Sequence, residues 1–283
     1  MRFFKLLTII GIPLFLLSSS HPEKNLSCLE IVSHMLDSLK NIKTQQYDLK
    51  ATERVNGHLL FAASHIKINT NPKKIYFKSI LKGNEVLWIE GENKGNALVY
   101  SPSFPLMSLD LDPYGSIMRK DQHHTIFDLG FQHIGIIIAN TILKAPKDFD
   151  KHFASAGTIN RNHTECYQLL ISFPEYKYIE YTVGKGETVT GIAKKFSTSD
   201  FKIRYKNDLS SYFGAIKEGK KILIPSPYSN KVILYIDMKT FMPVSVKIYD
   251  EEGIFEAYDF YNVRINAEFA PDEFSKNNKN YKF

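Results

Sequence analysis

Polar and apolar residues alternate along much of this chain, in runs separated by glycine, asparagine or proline. In the run 47–55, tyrosine, leucine, alanine and valine alternate with polar residues, and Gly57 then turns the chain. A period of two is typical of strands that have one face in a core. Similar runs predict strands at 59–68, 74–81, 85–90, 97–100, 157–160, 166–173, 231–237, 243–250 and 255–263. Because the connections are short, neighbouring strands are predicted to be antiparallel.

Two other segments follow the helical period. Apolar residues at 29, 32, 36, 39 and 42 lie on one face of a first predicted helix. The isoleucine-rich segment Thr125–Leu143 is predicted as a second helix. The polar C-terminal segment, Asn266–Phe283, is predicted to loop over an edge of the sheet.

Residues 181–225 show a third pattern. A short strand, Tyr181–Val183, runs into a glycine-containing turn, and Thr188 is placed to cap an amphipathic helix. A second short helix, Asp200–Asn207, is predicted with Ile203 inward and Phe201 or Tyr205 beside it; an apolar strand then ends at Pro225. The predicted order is strand, helix, helix, strand.

This order resembles the LysM module, which binds glycans containing N-acetylglucosamine, such as peptidoglycan and chitin. The matching residues are Tyr181-Thr182-Val183, Lys185-Gly186-Glu187-Thr188, Ile192-Ala193-Lys194-Lys195-Phe196, Asn207, Glu218-Gly219-Lys220 and Ile224-Pro225. The chain has Glu187 where the family usually has aspartate, and Lys220 where glutamine is common. A module kept as a structural spacer, without affinity for glycans, is the alternative.

The resemblance implies a shallow glycan-binding groove between two loops of the module. One wall is expected from Gly186, Glu187, Thr188 and Val189, and the other from Tyr212, Phe213, Ala215 and Ile216. Backbone amides at a helix start can bind an acetamido oxygen, and an apolar patch can pack against its methyl group.

Strands are predicted on both sides of this module, which indicates an insertion into one continuous sheet. The predicted divisions are a signal peptide at 1–20, a first part of the body at 28–178, the module at 179–226 and a second part of the body at 229–283. Three consecutive domains are the alternative, but the part after Pro225 would form a weak core alone.

The body resembles the LolA and LolB lipoprotein carriers, and more closely a LolA-like family of exported bacterial proteins of unknown function. The matching segments include Glu85–Gly91, Leu111–Gly115, Arg119, Gln122–His124, Asp128–Gly130, Cys166-Tyr167, Leu234–Asp237, Pro243 and Tyr249–Gly253. The resemblance implies an α+β fold in which a curved antiparallel sheet, an open half-barrel, wraps around two helices. It allows a lipid or lipoprotein acyl chain as a ligand, with a ligand-free scaffold or interaction protein as the alternative.

Composition and charge narrow the choice of partners. The 283 residues carry a formal net charge of +6 without a long lysine or arginine block, so nucleic acid is not predicted as a partner. Arg2 and Lys5, the apolar stretch Leu6–Leu17 and the serines at 18–20 resemble a secretory signal. We therefore expect export to the periplasm or cell envelope, with a retained membrane anchor as the alternative.

Two cysteines leave three alternatives open. Cys28 and Cys166 could form a disulfide in an exported protein, could both be free thiols, or Cys28 could be lipidated. The segment before Cys28 is a poor lipoprotein signal, because the charged Glu23 and Lys24 separate it from the apolar run.

Catalytic chemistry is not predicted. His123, His124 and His133 form the only histidine cluster in the sequence, but no cysteine or glutamate completes a zinc spacing, and helix capping or packing with Arg119 and Asp121 is expected instead. We predict no metal or other cofactor. Because no nucleophile motif or acid–base carboxylate pair is evident, a cell-wall-modifying enzyme is the less favoured alternative to a non-enzymatic binding protein.

Overall fold

The computed structural model describes residues 26–103, 107–209 and 213–283, so the predicted signal peptide lies outside the described residues. The helices are α1 (Cys28–Lys40), α2 (Ser116–Arg119), α3 (Phe131–Lys144), α4 (Phe149–His152), α5 (Val189–Phe196) and α6 (Asp200–Lys206). The strands are β1 (Thr44–Val55), β2 (His58–Thr70), β3 (Lys73–Ser79), β4 (Glu85–Ile89), β5 (Ala97–Tyr100), β6 (Leu109–Leu111), β7 (Phe153–Arg161), β8 (Thr164–Ser172), β9 (Lys177–Thr182), β10 (Lys221–Ser226), β11 (Lys231–Asp237), β12 (Pro243–Asp250) and β13 (Gly253–Ile265).

Eleven strands form one antiparallel sheet in the order β6-β5-β4-β3-β2-β1-β13-β12-β11-β8-β7. Its two ends do not meet, so the curved sheet stays open rather than closing into a barrel. Long hairpins dominate its centre, where β1 pairs with β2 over twelve consecutive residue pairs. The predicted α+β class with an open antiparallel sheet is confirmed.

The module is inserted between two neighbouring strands of this sheet. β8 and β11 pair directly, with Ile171 opposite Val232, although the whole module separates them in sequence. β9 and β10 form a separate two-stranded sheet, and α5 and α6 lie between them in the chain. The strands after the module complete the same sheet as those before it, which is not an arrangement of three consecutive domains.

Helix α1 begins with a capping box. The backbone N–H of Glu30 donates to Ser27 Oγ at 3.2 Å, and the Ser27 N–H donates to the Glu30 carboxylate at 2.9 Å. Its buried residues Ile31, Val32 and Met35 face the sheet and α3. The predicted helix is present, but its buried face differs from the predicted one, because Ile31 and Met35 are buried whereas Leu29 is 55% exposed.

The second predicted helix begins later than expected. Residues 126–128 form a 3-10 turn capped by Thr125, and α3 starts only after Gly130, whose φ is +106°. Such a φ is unfavourable for residues with a Cβ, so glycine separates the two segments. The side chain of Gln45 accepts from the Phe131 N–H at 3.0 Å and fixes the new start.

Side chains from α1, α3 and the inner face of the sheet form one continuous core. Tyr47, Phe131 and Phe260 meet with ring centroids 4.7–5.6 Å apart. The two helices approach closely at Gly135, because a Cβ there would lie 3.1 Å from Leu39 Cδ1. The inner face of the sheet is therefore packed by helices and aromatic rings.

The C-terminal segment covers a face of the sheet, so the prediction that it crosses an edge is wrong. Tyr281 stacks on Tyr76 of β3 with centroids 3.9 Å apart, and Glu273 pairs with Lys67 of β2. Tyr76 lies on the face opposite to Ile75, which belongs to the core. Aromatic stacking and a partly buried ion pair hold the segment against this outer face.

The cysteines are both free thiols, so the possible disulfide is not formed in the structure. Cys28 packs against the main core, whereas Cys166 is fully buried in a small separate cluster with Tyr235 and Val244. Burial raises the pKa of each thiol to about 11. Both are therefore protonated and poorly reactive at neutral pH. None of the helices in the described ranges combines the length and apolar character needed to cross a membrane.

Candidate functional site

The module has a core of its own. Thr188 caps α5 by accepting a hydrogen bond from the Gly191 N–H at 3.1 Å. The helix then turns its apolar side inward, as the spacing of its residues predicts. The buried residues of this core are Val183, Val189, Ile192, Ala193, Ile203, Ile216, Ile222 and Ile224.

Asn207 ties the end of α6 to β10. Its Nδ2 donates to the backbone oxygens of Ile203 and Leu223, both at 2.7 Å, and its Oδ1 accepts from the Leu223 N–H at 2.7 Å. No other neutral side chain of this size offers both donors and acceptors in one plane. The asparagine of the sequence motif therefore has a structural role.

The two loops predicted to form the groove lie side by side. Thr188 and Ala215 form an antiparallel backbone bridge, and the Ile216 N–H donates to the backbone oxygen of Glu187 at 2.8 Å. Gly186 supplies the left-handed turn that the first loop needs, with φ of +73°. The loops are therefore held together by the backbone and present their exposed residues on one surface.

The Glu187 carboxylate stabilises the first loop. It accepts from the Gly184 N–H at 2.8 Å and from the Tyr181 hydroxyl at 2.8 Å, and Lys195 Nζ lies 3.2 Å away. The hydrogen bond from Gly184, with that from Tyr181, lowers the pKa of Glu187. The glutamate that stands in place of the usual aspartate thus accepts a hydrogen bond from Gly184, at the other end of the turn.

The predicted groove residues occupy three kinds of position. Gly186 and Ala215 are exposed, while Glu187 and Thr188 are half-buried in the loop. The side chains of Val189 and Ile216 belong to the core of the module, so these two support the groove from below. Tyr212 lies outside the described residues.

Phe213 lies where the module meets the body. The guanidinium carbon of Arg204 is 4.7 Å from its ring centroid, and that of Arg119 in the body is 5.6 Å away. Such distances permit cation–π attraction. The second loop therefore contacts the body as well as the first loop.

Helix α6 is buried against the body through a network of charges. Asp200 accepts from Arg119 at 2.5 Å and from Thr190 at 2.9 Å, and Arg204 is 3.4 Å away. The side chains of Arg119, Asp200 and Arg204 are no more than 9% exposed. Because buried ion pairs are weakened by desolvation, they specify an orientation more than they add stability.

Lys202 makes a second buried contact on the same helix. Its Nζ lies 3.3 Å from a carboxylate oxygen of Asp250 and donates to the backbone oxygen of Tyr228 at 3.2 Å. It also lies 4.2 Å from the Phe255 ring centroid. Burial lowers the pKa of Lys202, although the nearby Asp250 opposes this. Arg54 of β1 shares the same aspartate at 2.5 Å.

His123 is the central contact between α6 and the sheet. Its ring stacks between Phe201 of α6 and Phe255 of β13, with centroids 4.1 and 4.3 Å away. Nδ1 lies 2.8 Å from the buried Glu256 carboxylate, and Nε2 lies 2.9 Å from the backbone oxygen of Arg54. Both ring nitrogens therefore face an acceptor, one a carboxylate and the other a backbone oxygen.

The other histidines differ in charge. Burial acts to lower the pKa of His124, but the charge and hydrogen bond of Glu256, 3.3 Å away, together with the charges of Glu53 and Asp128, raise it to about 9. Burial and the charge of His124 lower the pKa of His133 to about 4. The expected packing of these histidines with Arg119 and Asp121 is wrong, because Glu256 is the partner of His123 and His124. No group of His, Cys, Asp and Glu side chains in the described ranges is arranged to hold a metal ion.

A cavity of about 360 Å³ opens between the module and the body. The body contributes Asn56, Ile117 and Lys120 to its walls. The module contributes residues of α6 and of the second groove loop, namely Arg204, Tyr205 and Phe213. The cavity is thus formed by the docking of the module and belongs to neither part alone.

Comparison with known families decides what the body is. A family model described as "Protein of unknown function (DUF1571)" matches residues 42–176 and 219–283. The chain belongs to this family. The LysM domain model matches residues 181–225, which span most of the gap between the two DUF1571 segments and overlap the second at 219–225. No curated protein matches the chain.

Solved structures similar to the chain include three bacterial proteins. A DUF1329 family protein from Desulfovibrio piger has 11% identity, covers 88% of this chain and 96% of its own, and has a TM-score of 0.34. Lipoprotein LppX from Mycobacterium tuberculosis has 11% identity, with coverages of 86% and 97% and a TM-score of 0.39. A LolA superfamily protein from Nitrosomonas europaea has 9% identity, with coverages of 89% and 98% and a TM-score of 0.32. No functional property follows from such distant similarity.

The contacts between the DUF1571 body and the module could not be read from the sequence. The charged residues involved are Asp200 and Lys202 of α6 and Glu256 of β13. Each pairs with a residue distant in sequence, namely Arg119, Asp250 and His123 respectively. The one signal in the sequence is the number of charged residues in α6. In the structure the five consecutive residues Asp200–Arg204 are buried, and Tyr205 and Lys206 are exposed. A free module would be expected to expose one side of this helix.

Proposed function

We propose that this chain is an exported cell-envelope protein that binds the glycan strands of peptidoglycan through its LysM module. The observation that carries the proposal is the pair of loops joined by the Thr188–Ala215 bridge, with Gly186 and Ala215 exposed beside the start of α5. Backbone N–H groups at such a helix start suit an acetamido oxygen. The signal-like segment at residues 1–20 supports export.

Sedimentation with purified peptidoglycan sacculi at low salt tests this proposal. We expect the mature protein to sediment with sacculi, and Ala215→Trp to remain in the supernatant, because a large ring at this exposed position fills the groove. Leu223→Trp is the matched control, since it adds a ring at a position of the module that is 38% exposed on β10. Failure of the wild-type protein to sediment, or equal binding by Ala215→Trp, would contradict groove binding.

We further propose a binding role without catalysis. Glu256 and His123 are turned toward each other and toward the Tyr228 hydroxyl, 3.1 Å from Glu256, instead of toward a surface groove. A general acid or base needs to reach its substrate. Release of soluble muropeptides from sacculi by the pure protein would contradict this proposal.

For the body, a specific observation favours a scaffold over a carrier of lipid. The rings of Tyr47, Phe131 and Phe260 pack together on the inner face of the sheet, where an acyl chain would have to displace them. Native mass spectrometry of protein purified from a bacterial periplasm without detergent tests the choice. We expect the mass of the chain alone; a stoichiometric lipid or acylated peptide would favour the carrier.

A further inference from the structure

The cavity between module and body is lined by Phe213, which belongs to the loop that forms one wall of the proposed groove. Phe213 lines the cavity, and Ala215, two residues later in the same loop, pairs with Thr188 across the groove. A chain of sugars lying in the groove would therefore lie beside the loop whose Phe213 lines the cavity. Its volume of about 360 Å³ falls within the range of about 300–1,000 Å³ that is common for small-ligand sites.

The walls of the cavity combine apolar surface with positive charge. Tyr205 is 45% exposed and Ile117 is 73% exposed, so both present apolar surface to a ligand. Lys120 is exposed at the rim, and the charged groups at the cavity are Lys120, Arg204 and Asp121. Two cations against one carboxylate leave the cavity lining with a net positive charge.

The charges behind the lining leave this imbalance unchanged, because Arg119 and Asp200 cancel. Arg204 shares Asp200 with Arg119, so two guanidinium groups face one carboxylate. Burial lowers the pKa of Arg204, and the charge of Arg119 acts in the same direction against Asp200. A bound anion at the rim would relieve this repulsion.

Peptidoglycan and chitin differ in the feature that such a cavity would recognise. Chitin is an unbranched chain of uncharged N-acetylglucosamine. In peptidoglycan, every second sugar carries a peptide through a lactyl ether, and that peptide has free carboxylates. A cavity with cationic and apolar walls beside a sugar groove matches a short anionic peptide on the sugar next to the one in the groove.

We infer that the cavity between Lys120 of the body and Phe213 of the module binds the peptide arm of peptidoglycan, and so makes the docked protein prefer peptidoglycan to chitin. The inference rests on the proposed binding of glycan in the groove. It assigns a role to the body in glycan recognition, because Lys120 and Ile117 come from the segment around α2.

Calorimetric titration of the full mature chain with two defined probes tests this inference. One probe is the N-acetylglucosamine tetramer, and the other is a tetrasaccharide fragment of peptidoglycan that retains its peptides. We expect the peptide-bearing fragment to bind about tenfold more tightly, the effect of one charge-assisted contact. Lys120→Glu should lose that preference and keep its affinity for the tetramer, whereas Lys147→Glu, an exposed charge reversal away from the cavity, should change neither affinity.

The outcomes separate the cavity from the groove. Equal affinity for the two probes, or an equal loss for both in Lys120→Glu, would overturn the role of the cavity and leave groove binding intact. Binding of neither probe would overturn the proposed function and this inference together. Binding of the peptide-bearing fragment alone, lost in Lys120→Glu, would support the cavity and contradict groove binding of N-acetylglucosamine.

Discussion

Single residues of the module perform tasks that their chemistry explains. Asn207 satisfies three backbone groups of α6 and β10, and Glu187 holds the turn that contains Gly186. These roles depend on local geometry within one small unit. For that reason the motif residues could be recognised in the sequence without knowledge of the rest of the chain.

Replacement of Asn207 by alanine should destabilise the protein. Three hydrogen bonds of 2.7 Å would be lost, and we expect a decrease of about 1–3 kcal/mol in the free energy of unfolding. Urea unfolding followed by circular dichroism measures this change. Asp208→Asn is the control, because it alters an exposed neighbour with φ of +55° and keeps a residue that tolerates that conformation; an equal loss in both variants would contradict the role of Asn207.

The histidines around Glu256 predict a stability maximum near neutral pH. The pKa of His124 is raised from 6.5 to about 9, so its contribution is complete below about 6.5 and is lost as pH rises through 9. The pKa of His133 is lowered to about 4, so stability is lost as pH falls from about 6.5 toward 4. Glu256, Glu53 and Asp128 are the charged partners around His124.

Unfolding by urea between pH 5 and 9 measures both limbs of this dependence. The alkaline loss attributable to His124 should be roughly 3 kcal/mol at most. His124→Gln should flatten the alkaline limb, and His133→Gln should flatten the acidic one. An alkaline limb unchanged in His124→Gln would show that another group titrates there.

At the scale of elements, α6 is the contact that joins module and body. Phe201 packs into the main core beside His123, and the charged residues next to it pair with the body. The helix has only seven residues, so most of its stability must come from this packing. Its sequence predicted a helix but not the partner that covers it.

Removal of the charge of Asp200 tests this contact. Asp200→Asn leaves Arg119 and Arg204 without their shared carboxylate in a buried site, and we expect a loss of about 3–5 kcal/mol in the free energy of unfolding. The exposed pair Lys221–Glu180, 2.8 Å apart, provides the control, since Glu180→Gln should cost no more than about 1 kcal/mol. Comparable small effects of both substitutions would mean that the buried network does not hold the module.

Element boundaries could be predicted where the pattern is local. The alternating runs placed most strands of the sheet, and the spacing of residues 29–39 placed α1. Gly130 shows the limit, because its positive φ ends the 3-10 turn and delays α3, an effect of conformation rather than of hydrophobic period. The contact of Tyr281 with Tyr76 joins residues 205 positions apart, which no local pattern can show.

At the scale of the whole molecule, the module is a fixed part of the fold. Phe201 lies in the module and Tyr228 just after the end of the module. Both belong to the same core as the helices of the body. The groove is therefore presented in one orientation, beside a cavity to which the body contributes. We expect a single binding surface rather than a module that swings on a linker.

Chemical-shift mapping of the mature chain with the N-acetylglucosamine tetramer tests the central claim most directly. Binding in the groove of the docked module predicts shifts of the amides of Gly186, Thr188 and Ala215, while the amides of α6 stay at their positions. Shifts confined to other surfaces, or none at saturating sugar, would contradict glycan binding in this groove. Shifts throughout α6 would contradict a module that stays fixed to the body.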